Sequence, residues 1–254
     1  MTRMRIGFLG DGNITRTVRD ELASRPYEVV GTFGRADVIA DDLDLLVEAA
    51  TQRAVEERLV PIIARGTDVL LLSVGALANP HLRQRLTDGP GRLIVCTGAI
   101  GGLDQIRALR VGGALHEVSI ESRKLPATLI QPWMDEALRE RLEAGQEEIV
   151  LDDDLATAVT QRFPASANVA AAVALAADAW DSATARVVAD PTAVRTRHTI
   201  HAAGELGEVT VAVINEPSPE RPRSSAVVAR AVVRAIDDCA RLRGFDAVAG
   251  VVVL

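Results

Sequence analysis

Short apolar runs that alternate with helical or loop-like segments constrain the fold of this chain most strongly. In the N-terminal part they predict strands at Arg5–Leu9, Glu28–Phe33, Leu43–Glu48, Asp68–Ser73 and Arg92–Thr97. Runs rich in Val, Ile and Leu are typical of strands buried on both faces of a parallel sheet. Helical spacing over Ile14–Ser24 and Gln52–Arg65, and an Asn79-Pro80 helix start, fall between them. The pattern predicts a doubly wound α/β domain of the Rossmann type, in which the short Gly34–Asp44 connection is a loop.

The pattern changes from about Leu103 to β-like runs, several with alternating polarity, beside helices such as Asn168–Ala179. These runs are His116–Lys124, Glu147–Asp153, Ala183–Asp190, Arg197–Glu205 and Glu208–Asn215. They predict an inserted α/β domain on a mixed sheet. The proline-punctuated segment Asn215–Ser225 is interpreted as a linker, and Ser225–Arg243 as a helix that ends at Gly244 and returns to the first domain. The predicted domains are residues 1–103 completed by 222–254, and residues 104–221 between them.

A Gly-x-Gly motif joins the first predicted strand to the first predicted helix. In this context Gly10 permits a tight turn, and Gly12 lets the backbone approach the pyrophosphate of a dinucleotide. The phosphates are expected to meet the backbone N–H groups of Asn13 and Ile14 at the helix N-terminus. The third glycine of such motifs, which packs helix on strand, is replaced by Thr15. A turn without a ligand is the alternative interpretation.

The end of the second predicted strand bears on the choice between NAD and NADP. An acidic residue usually binds the adenosine ribose there, but this chain has Gly34 followed by Arg35. An arginine can pair with the 2′-phosphate of NADP, so NADP is expected to bind at least as well as NAD. The alternative is that Arg35 is an ordinary solvated side chain.

Composition excludes several classes of partner. A net charge of −7 argues against nucleic acid, and no apolar run approaches the ~20 residues that span a bilayer. Cys96 and Cys239 have neither metal-ligand nor redox spacing, so no metal is expected, and both are typical of reduced, buried residues in a cytoplasmic protein. The expected partner is a small molecule.

The sequence resembles the L-aspartate dehydrogenase family along nearly its whole length. The matching segments are Glu48–Val55, Gly66–Ala78, Thr97–Asp104, Phe163–Ala176, Ala189–His198 and Ile214–Ser225. The resemblance implies a homodimer that oxidises L-aspartate to iminosuccinate with NAD or NADP, and iminosuccinate could feed NAD biosynthesis. Two alternatives stay open: a reductase of the same two-domain plan acting on another imine or small dicarboxylate, and a nicotinamide-nucleotide sensor without turnover.

The resemblance also implies roles for individual residues. His198 matches the family's catalytic histidine, while Ala99 and Asn168 match positions beside the nicotinamide. Asn168 is also expected to cap its helix. Because aspartate carries two carboxylates, its pocket needs cationic or hydroxyl donors. The candidates are Arg123, Lys124, Arg223, Ser224 and Ser225. His201, three residues after His198 on a predicted strand, is expected to face the opposite side of the sheet.

Overall fold

The computed structural model describes residues 2–164, 167–219 and 221–252, without the side chains of residues 221–223. The chain forms two compact units. One comprises the residues up to Gly98 together with those from Val228 onward, and the other is Ala99–Val227. Among the residues that the structure describes, no helix is both long and apolar enough to cross a membrane.

The first unit is built on a five-stranded parallel sheet. Its strands are β1 (Arg5–Leu9), β2 (Glu28–Phe33), β3 (Leu45–Glu48), β4 (Asp68–Leu71) and β5 (Leu93–Val95), in the spatial order β2-β1-β3-β4-β5. Its helices are α1 (Asn13–Leu22), α2 (Gln52–Ala64), α3 (Pro80–Thr87) and α8 (Val227–Arg243), the last beginning at the boundary of the unit. The doubly wound prediction is confirmed.

Helix α8 completes the core of the first unit, as predicted for a C-terminal helix that returns to it. Val232, Val233 and Ile236 are buried in one cluster with Phe8 of β1 and Val18 of α1. A helix with such an apolar face is stabilised mainly by packing against its neighbours. The first unit is therefore assembled from both ends of the chain.

Local signals account for the helix ends and for the loop after β2. The Asn79 side chain accepts hydrogen bonds from the amides of His81 and Leu82 at the start of α3. Gly244, with φ +73°, ends α8 in the left-handed conformation that favours glycine. The connection from Gly34 to Asp44 is a loop, as predicted.

The second unit contains a mixed five-stranded sheet, as predicted. Its strands are β6 (Leu115–Lys124), β7 (Ile149–Leu155), β8 (Thr184–Ala189), β9 (Thr196–Gly204) and β10 (Gly207–Asn215), in the order β10-β9-β6-β8-β7. Strands β6 and β8 are parallel and the other neighbours are antiparallel. The helices are α4 (Leu103–Val111), α5 (Glu136–Ala144), α6 (Ala156–Arg162) and α7 (Asn168–Ala177). Helix α7 packs against β6, and α4 packs against β9 and β10.

The predicted linker at Asn215–Ser225 is wrong. This segment forms a two-stranded antiparallel ribbon of β11 (Pro217–Ser218) and β12 (Arg221–Ser225), in which Pro217 pairs with Ser225. Proline lacks an N–H and is tolerated in edge strands, where no second ladder needs that donor. The prolines therefore mark a narrow ribbon rather than an unstructured connection.

Candidate active site

The turn after β1 has the geometry of a dinucleotide-binding loop. Gly10 has φ +99°, and a Cβ there would lie 2.8 Å from the carbonyl oxygen of Ala49 and 2.9 Å from the Cβ of Ala50. The Gly10 amide donates to the carbonyl of Phe33 at 2.9 Å, which fixes the turn against the end of β2. Both the conformation and the close approach require glycine at this position.

Gly12 is a glycine for a different reason. Its φ of −84° is open to any residue, and a Cβ at this position would have no described atom within 4 Å beyond its own chain neighbours. Gly12 is the N-cap of α1, so no side chain covers the helix N-terminus from this position. A helix N-terminus without a capping side chain fits the pyrophosphate of a dinucleotide, and Asn13 and Ile14 belong to the first turn of this helix.

Thr15 is part of the packing of this loop. Its side chain is fully buried, and its hydroxyl donates to the Gly10 carbonyl at 2.8 Å. The hydroxyl therefore joins the first turn of α1 to the glycine loop and faces protein rather than ligand. The interpretation of position 15 as a packing position agrees with this geometry.

Glu48 is a buried carboxylate beneath the loop that the sequence analysis missed. It ends β3 and accepts hydrogen bonds from the Ser73 amide (2.8 Å), the Ser73 hydroxyl (2.8 Å) and the Ala50 amide (2.9 Å). Burial raises the pKa of Glu48 above its usual range. An acidic residue at the end of an otherwise apolar buried run was the available signal. Glu48 joins the ends of β3 and β4 beside the residues that contact Gly10.

The end of β2 differs from the sequence-based expectation. Arg35 is exposed, as the alternative interpretation allowed. The expectation of NADP binding was based on residues 31–35, which contain no carboxylate, but in the structure a carboxylate from further along the chain lies at this position. The Asp37 carboxylate turns back and accepts a hydrogen bond from the Gly34 amide at 2.7 Å.

Three polar side chains lie on the helix-covered face of the second sheet. His198 of β9 is directly opposite Ser122 of β6, and the Ser122 hydroxyl is 2.8 Å from the Nδ1 atom of His198. Lys124 is two residues further along β6, on the same face. Ser122 is 6% exposed, His198 is 1% exposed and Lys124 is 7% exposed. Such buried polar side chains among apolar neighbours are candidates for chemistry.

Burial changes the protonation of two of these groups. It lowers the pKa of Lys124 to about 8. Burial and then the charge of Lys124 lower the pKa of His198 to about 3. The imidazole of His198 is therefore neutral at pH 7.

Arg123 does not join this group. Neighbouring residues of a strand point to opposite faces, so Arg123 faces away from Lys124. Its guanidinium contacts the carboxylates of Glu121 (2.6 Å), Glu148 (2.5 Å) and Asp190 (3.5 Å). His201 is on that face too, as predicted, with its Nδ1 atom 3.1 Å from the Thr210 hydroxyl.

The loop of Ala99 is held by a residue that sequence reasoning missed. Asn215, the last residue of β10, is buried and donates from Nδ2 to the Ala99 carbonyl at 2.7 Å. Gly98 and Gly102 on either side have φ +62° and +77°. The backbone beside Ala99 is therefore fixed in a glycine-dependent conformation.

The remaining candidates occupy two other places in the second unit. Asn168 is the first residue of α7 and half-buried, and Ala167 is the N-cap, so the predicted capping role of Asn168 is wrong. Ser224 is half-buried and Ser225 is buried at the end of β12. The side chain of Arg223 lies outside the described part of the chain. No group of three or more His, Cys, Asp or Glu side chains suited to a metal ion occurs among the residues described.

The chain thus combines a parallel-sheet unit that has a dinucleotide-type loop with a mixed-sheet unit that has a buried histidine. Residues 7–89 match the family described as the NAD-binding domain of homoserine dehydrogenase. Residues 104–239 match the family described as the C-terminal domain of aspartate dehydrogenase. The chain belongs to the aspartate dehydrogenase family, which confirms the resemblance found in the sequence.

Individual relatives are similar over most of their length. The L-aspartate dehydrogenase of Pseudomonas aeruginosa is 36% identical over 226 residues, which are 86% of this chain and 82% of that protein. That of Methanocaldococcus jannaschii is 37% identical over 208 residues, 80% of this chain and 76% of that protein. The crystal structure of aspartate dehydrogenase from Thermotoga maritima has a TM-score of 0.72 at 20% identity, covering 98% of this chain and 100% of that one. This last likeness shows a shared fold.

Proposed function

We propose that this protein oxidises L-aspartate to iminosuccinate, with NAD or NADP as the acceptor of the hydride from Cα. The observation that carries the proposal is the buried arrangement of Ser122, Lys124 and His198 on one face of the second sheet. In a chain of the aspartate dehydrogenase family, this arrangement supplies a cation for an anionic substrate and an imidazole for its proton.

The cofactor is proposed to be held by the backbone. Gly10 and Gly12 form the turn that admits the pyrophosphate, and the first turn of α1 at Asn13 and Ile14 receives its charge. Ala99 and Asn168 are proposed to line the position of the nicotinamide, with Asn215 holding the Ala99 backbone. When bound, the nicotinamide ring supplies an acceptor for a hydride, which is two electrons and one proton.

Lys124 is proposed to bind a substrate carboxylate. With a pKa of about 8 the side chain is mostly an ammonium ion at neutral pH, and burial makes this charge costly. A carboxylate beside it would offset that cost, so binding energy is directed to an anionic substrate. Arg223, Ser224 and Ser225 are proposed as further donors to the substrate. Arg123 is not, because its guanidinium is paired with carboxylates on the other face of the sheet.

His198 is proposed to take the proton that the substrate ammonium must lose before hydride transfer. Contact with Ser122 at Nδ1 fixes the ring, and in the tautomer with the proton on Nδ1 the Nε2 lone pair is the acceptor. In the protein without ligand the pKa of His198 is about 3. The two negative charges of aspartate favour the protonated imidazole, so substrate binding raises this pKa and makes His198 a stronger base.

The formation of reduced nicotinamide, followed by its absorbance, tests the proposal. We expect turnover with L-aspartate plus NAD or NADP, and the reverse reaction with oxaloacetate plus ammonia. His198→Ala should lower kcat by about 10²–10⁴ with little change in cofactor affinity, the usual range for loss of a general base. His201→Ala is the matched control, because this histidine faces the other side of the sheet, and it should retain near-normal activity.

The same assay separates the alternatives. Faster turnover of another amino acid or imine in a substrate panel would favour a reductase of the same plan with a different substrate. Cofactor binding without turnover of any substrate in the panel would indicate a sensor.

The family also supports three proposals about the setting of the reaction. The protein is proposed to act as a homodimer in the cytoplasm, and its iminosuccinate to enter NAD biosynthesis. Light scattering of the purified protein tests the dimer directly, since the mass of one chain is 27.0 kDa.

A further inference from the structure

The end of β2 decides which dinucleotide a Rossmann-type domain prefers. A carboxylate there accepts hydrogen bonds from the hydroxyls of the adenosine ribose, and it repels the 2′-phosphate that distinguishes NADP from NAD. In this chain β2 ends at Phe33, and the next residue, Gly34, has no side chain.

The Asp37 carboxylate occupies the position that a longer side chain at residue 34 would fill. A Cβ built on Gly34 would lie 3.2 Å from Oδ2 of Asp37, so the carboxylate occupies the space into which a side chain at position 34 would extend. Oδ2 accepts the Gly34 amide at 2.7 Å. Because a carboxylate has two oxygens and about four lone-pair sites, this bond leaves capacity for the two hydroxyls of a ribose.

Helix α2 holds the backbone of the turn that carries this carboxylate. Arg58 of α2 donates to the carbonyl oxygens of Gly34 at 3.1 Å and Asp37 at 2.6 Å, and also to that of Arg35. The turn between Gly34 and Asp37 is therefore fixed at its first, second and fourth residues by one guanidinium. A carboxylate on a fixed turn loses little conformational freedom when it binds a ligand.

The charge of Arg35 is partly offset by a nearby carboxylate. The pKa of Glu57, on α2, lies below its usual range because of Arg53 first, with smaller contributions from Arg35 and Arg58. Arg35 is exposed, whereas the Asp37 carboxylate is hydrogen-bonded directly to the residue that follows β2.

We propose that Asp37 binds the adenosine ribose hydroxyls in place of the side chain absent at Gly34, and that it makes the protein prefer NAD over NADP. The inference rests on the proposed function only in that the first unit binds a nicotinamide dinucleotide. It replaces the expectation of NADP binding that followed from Gly34 and Arg35 alone.

Dissociation constants of NAD and NADP, measured by titration calorimetry without substrate, test the proposal. The wild-type protein should bind NAD at least tenfold more tightly than NADP, which corresponds to about 1.4 kcal/mol. Asp37→Asn keeps an oxygen for the Gly34 amide but removes the charge, and should reduce that ratio at least tenfold. Asp37→Ser, which is shorter and also neutral, should change the ratio in the same direction. It replaces the asparagine variant in the test if that variant folds poorly.

Asp41→Asn is the matched control, because Asp41 lies in the same loop and carries the same charge but pairs with Arg65 at 2.7 Å. It should leave the ratio within about twofold, as expected for an exposed charge. Equal affinities in the wild type, or an unchanged ratio in both Asp37 variants, would overturn the proposal. NAD-selective binding without aspartate turnover would leave it standing and overturn the proposed function instead, while binding of neither nucleotide would overturn both.

Discussion

The buried ammonium group of Lys124 lowers the stability of the folded protein at neutral pH. Its pKa is about 8 in the folded protein and 10.5 in an unfolded chain. Between pH 8 and 10.5 this lysine is protonated more fully in the unfolded chain than in the folded protein. The free energy of unfolding therefore rises as pH increases through this range, and it decreases again as pH falls. This difference between the two pKa values lowers the free energy of unfolding by about 3 kcal/mol at neutral pH.

Lys124→Met is therefore expected to stabilise the protein at pH 7 by about 1–3 kcal/mol, because methionine fills similar space without a buried charge. The rise in wild-type stability between pH 8 and 10.5 should be absent in the variant. KM for aspartate should rise, since a proposed carboxylate ligand is lost. Urea unfolding at pH 7 and pH 10 measures the first two effects. A variant less stable than the wild type at pH 7 would contradict the assignment of a costly buried charge.

The junction of β3 and β4 shows at the scale of elements how a strand end supports the glycine loop. Glu48 accepts hydrogen bonds from Ser73, Ala50 and Leu72, all of them through N–H or O–H donors. Glu48→Gln would place an NH2 group against at least one of these donors, at a cost of about 2–4 kcal/mol. NAD affinity should fall as well, since Ala49 and Ala50 lie against Gly10.

Glu28→Gln is the control for this change. Glu28 begins β2 at the other end of the sheet, and its half-exposed side chain pairs with Arg5, so its loss should cost less than about 1 kcal/mol. Chemical unfolding and nucleotide titration of both variants measure the contrast. Equal effects would show that Glu48 contributes no more than a surface ion pair.

The sequence predicted those elements whose pattern is local. The observed bounds of β1 and β2 match the predicted Arg5–Leu9 and Glu28–Phe33. Strand β1 is a largely buried apolar run, whereas β2 is a partly exposed edge strand that its β-branched and aromatic residues made recognisable. The ribbon at β11 and β12 was missed, since short proline-containing strands have no such run.

The candidate site was predictable only where a motif or the family carried it. Gly10, Gly12 and His198 were predicted in that way. Glu48, Asp37 and Asn215 were missed, because their roles depend on which backbone groups the fold brings to their side chains. Arg123 and Lys124 are adjacent in sequence and chemically alike, and only the register of β6 separates them between two faces.

The order of the two units along the chain has a consequence for the whole molecule. The first unit includes the N-terminal residues and those from Val228 onward, with the entire second unit between them. Asp237 of α8 accepts hydrogen bonds from the Tyr27 hydroxyl and from Arg25, both at 2.5 Å, which adds polar contacts to the apolar packing of this helix. The fold of the first unit therefore includes contacts between residues more than two hundred positions apart in sequence.

Ile236→Ala tests how much helix α8 contributes to this fold. Ile236 is fully buried against the first unit, and its truncation should cost about 2–5 kcal/mol. Since NAD binds only the folded unit, NAD at a hundred times its dissociation constant should restore about 2.7 kcal/mol. Leu242→Ala, on the same helix but 59% exposed, should change stability by less than about 0.5 kcal/mol. Thermal unfolding of both variants with and without NAD measures these differences. An Ile236 variant as stable as the wild type would show that α8 is not required for the nucleotide-binding unit. If NAD stabilises the wild type but not this variant, the helix is required for nucleotide binding itself.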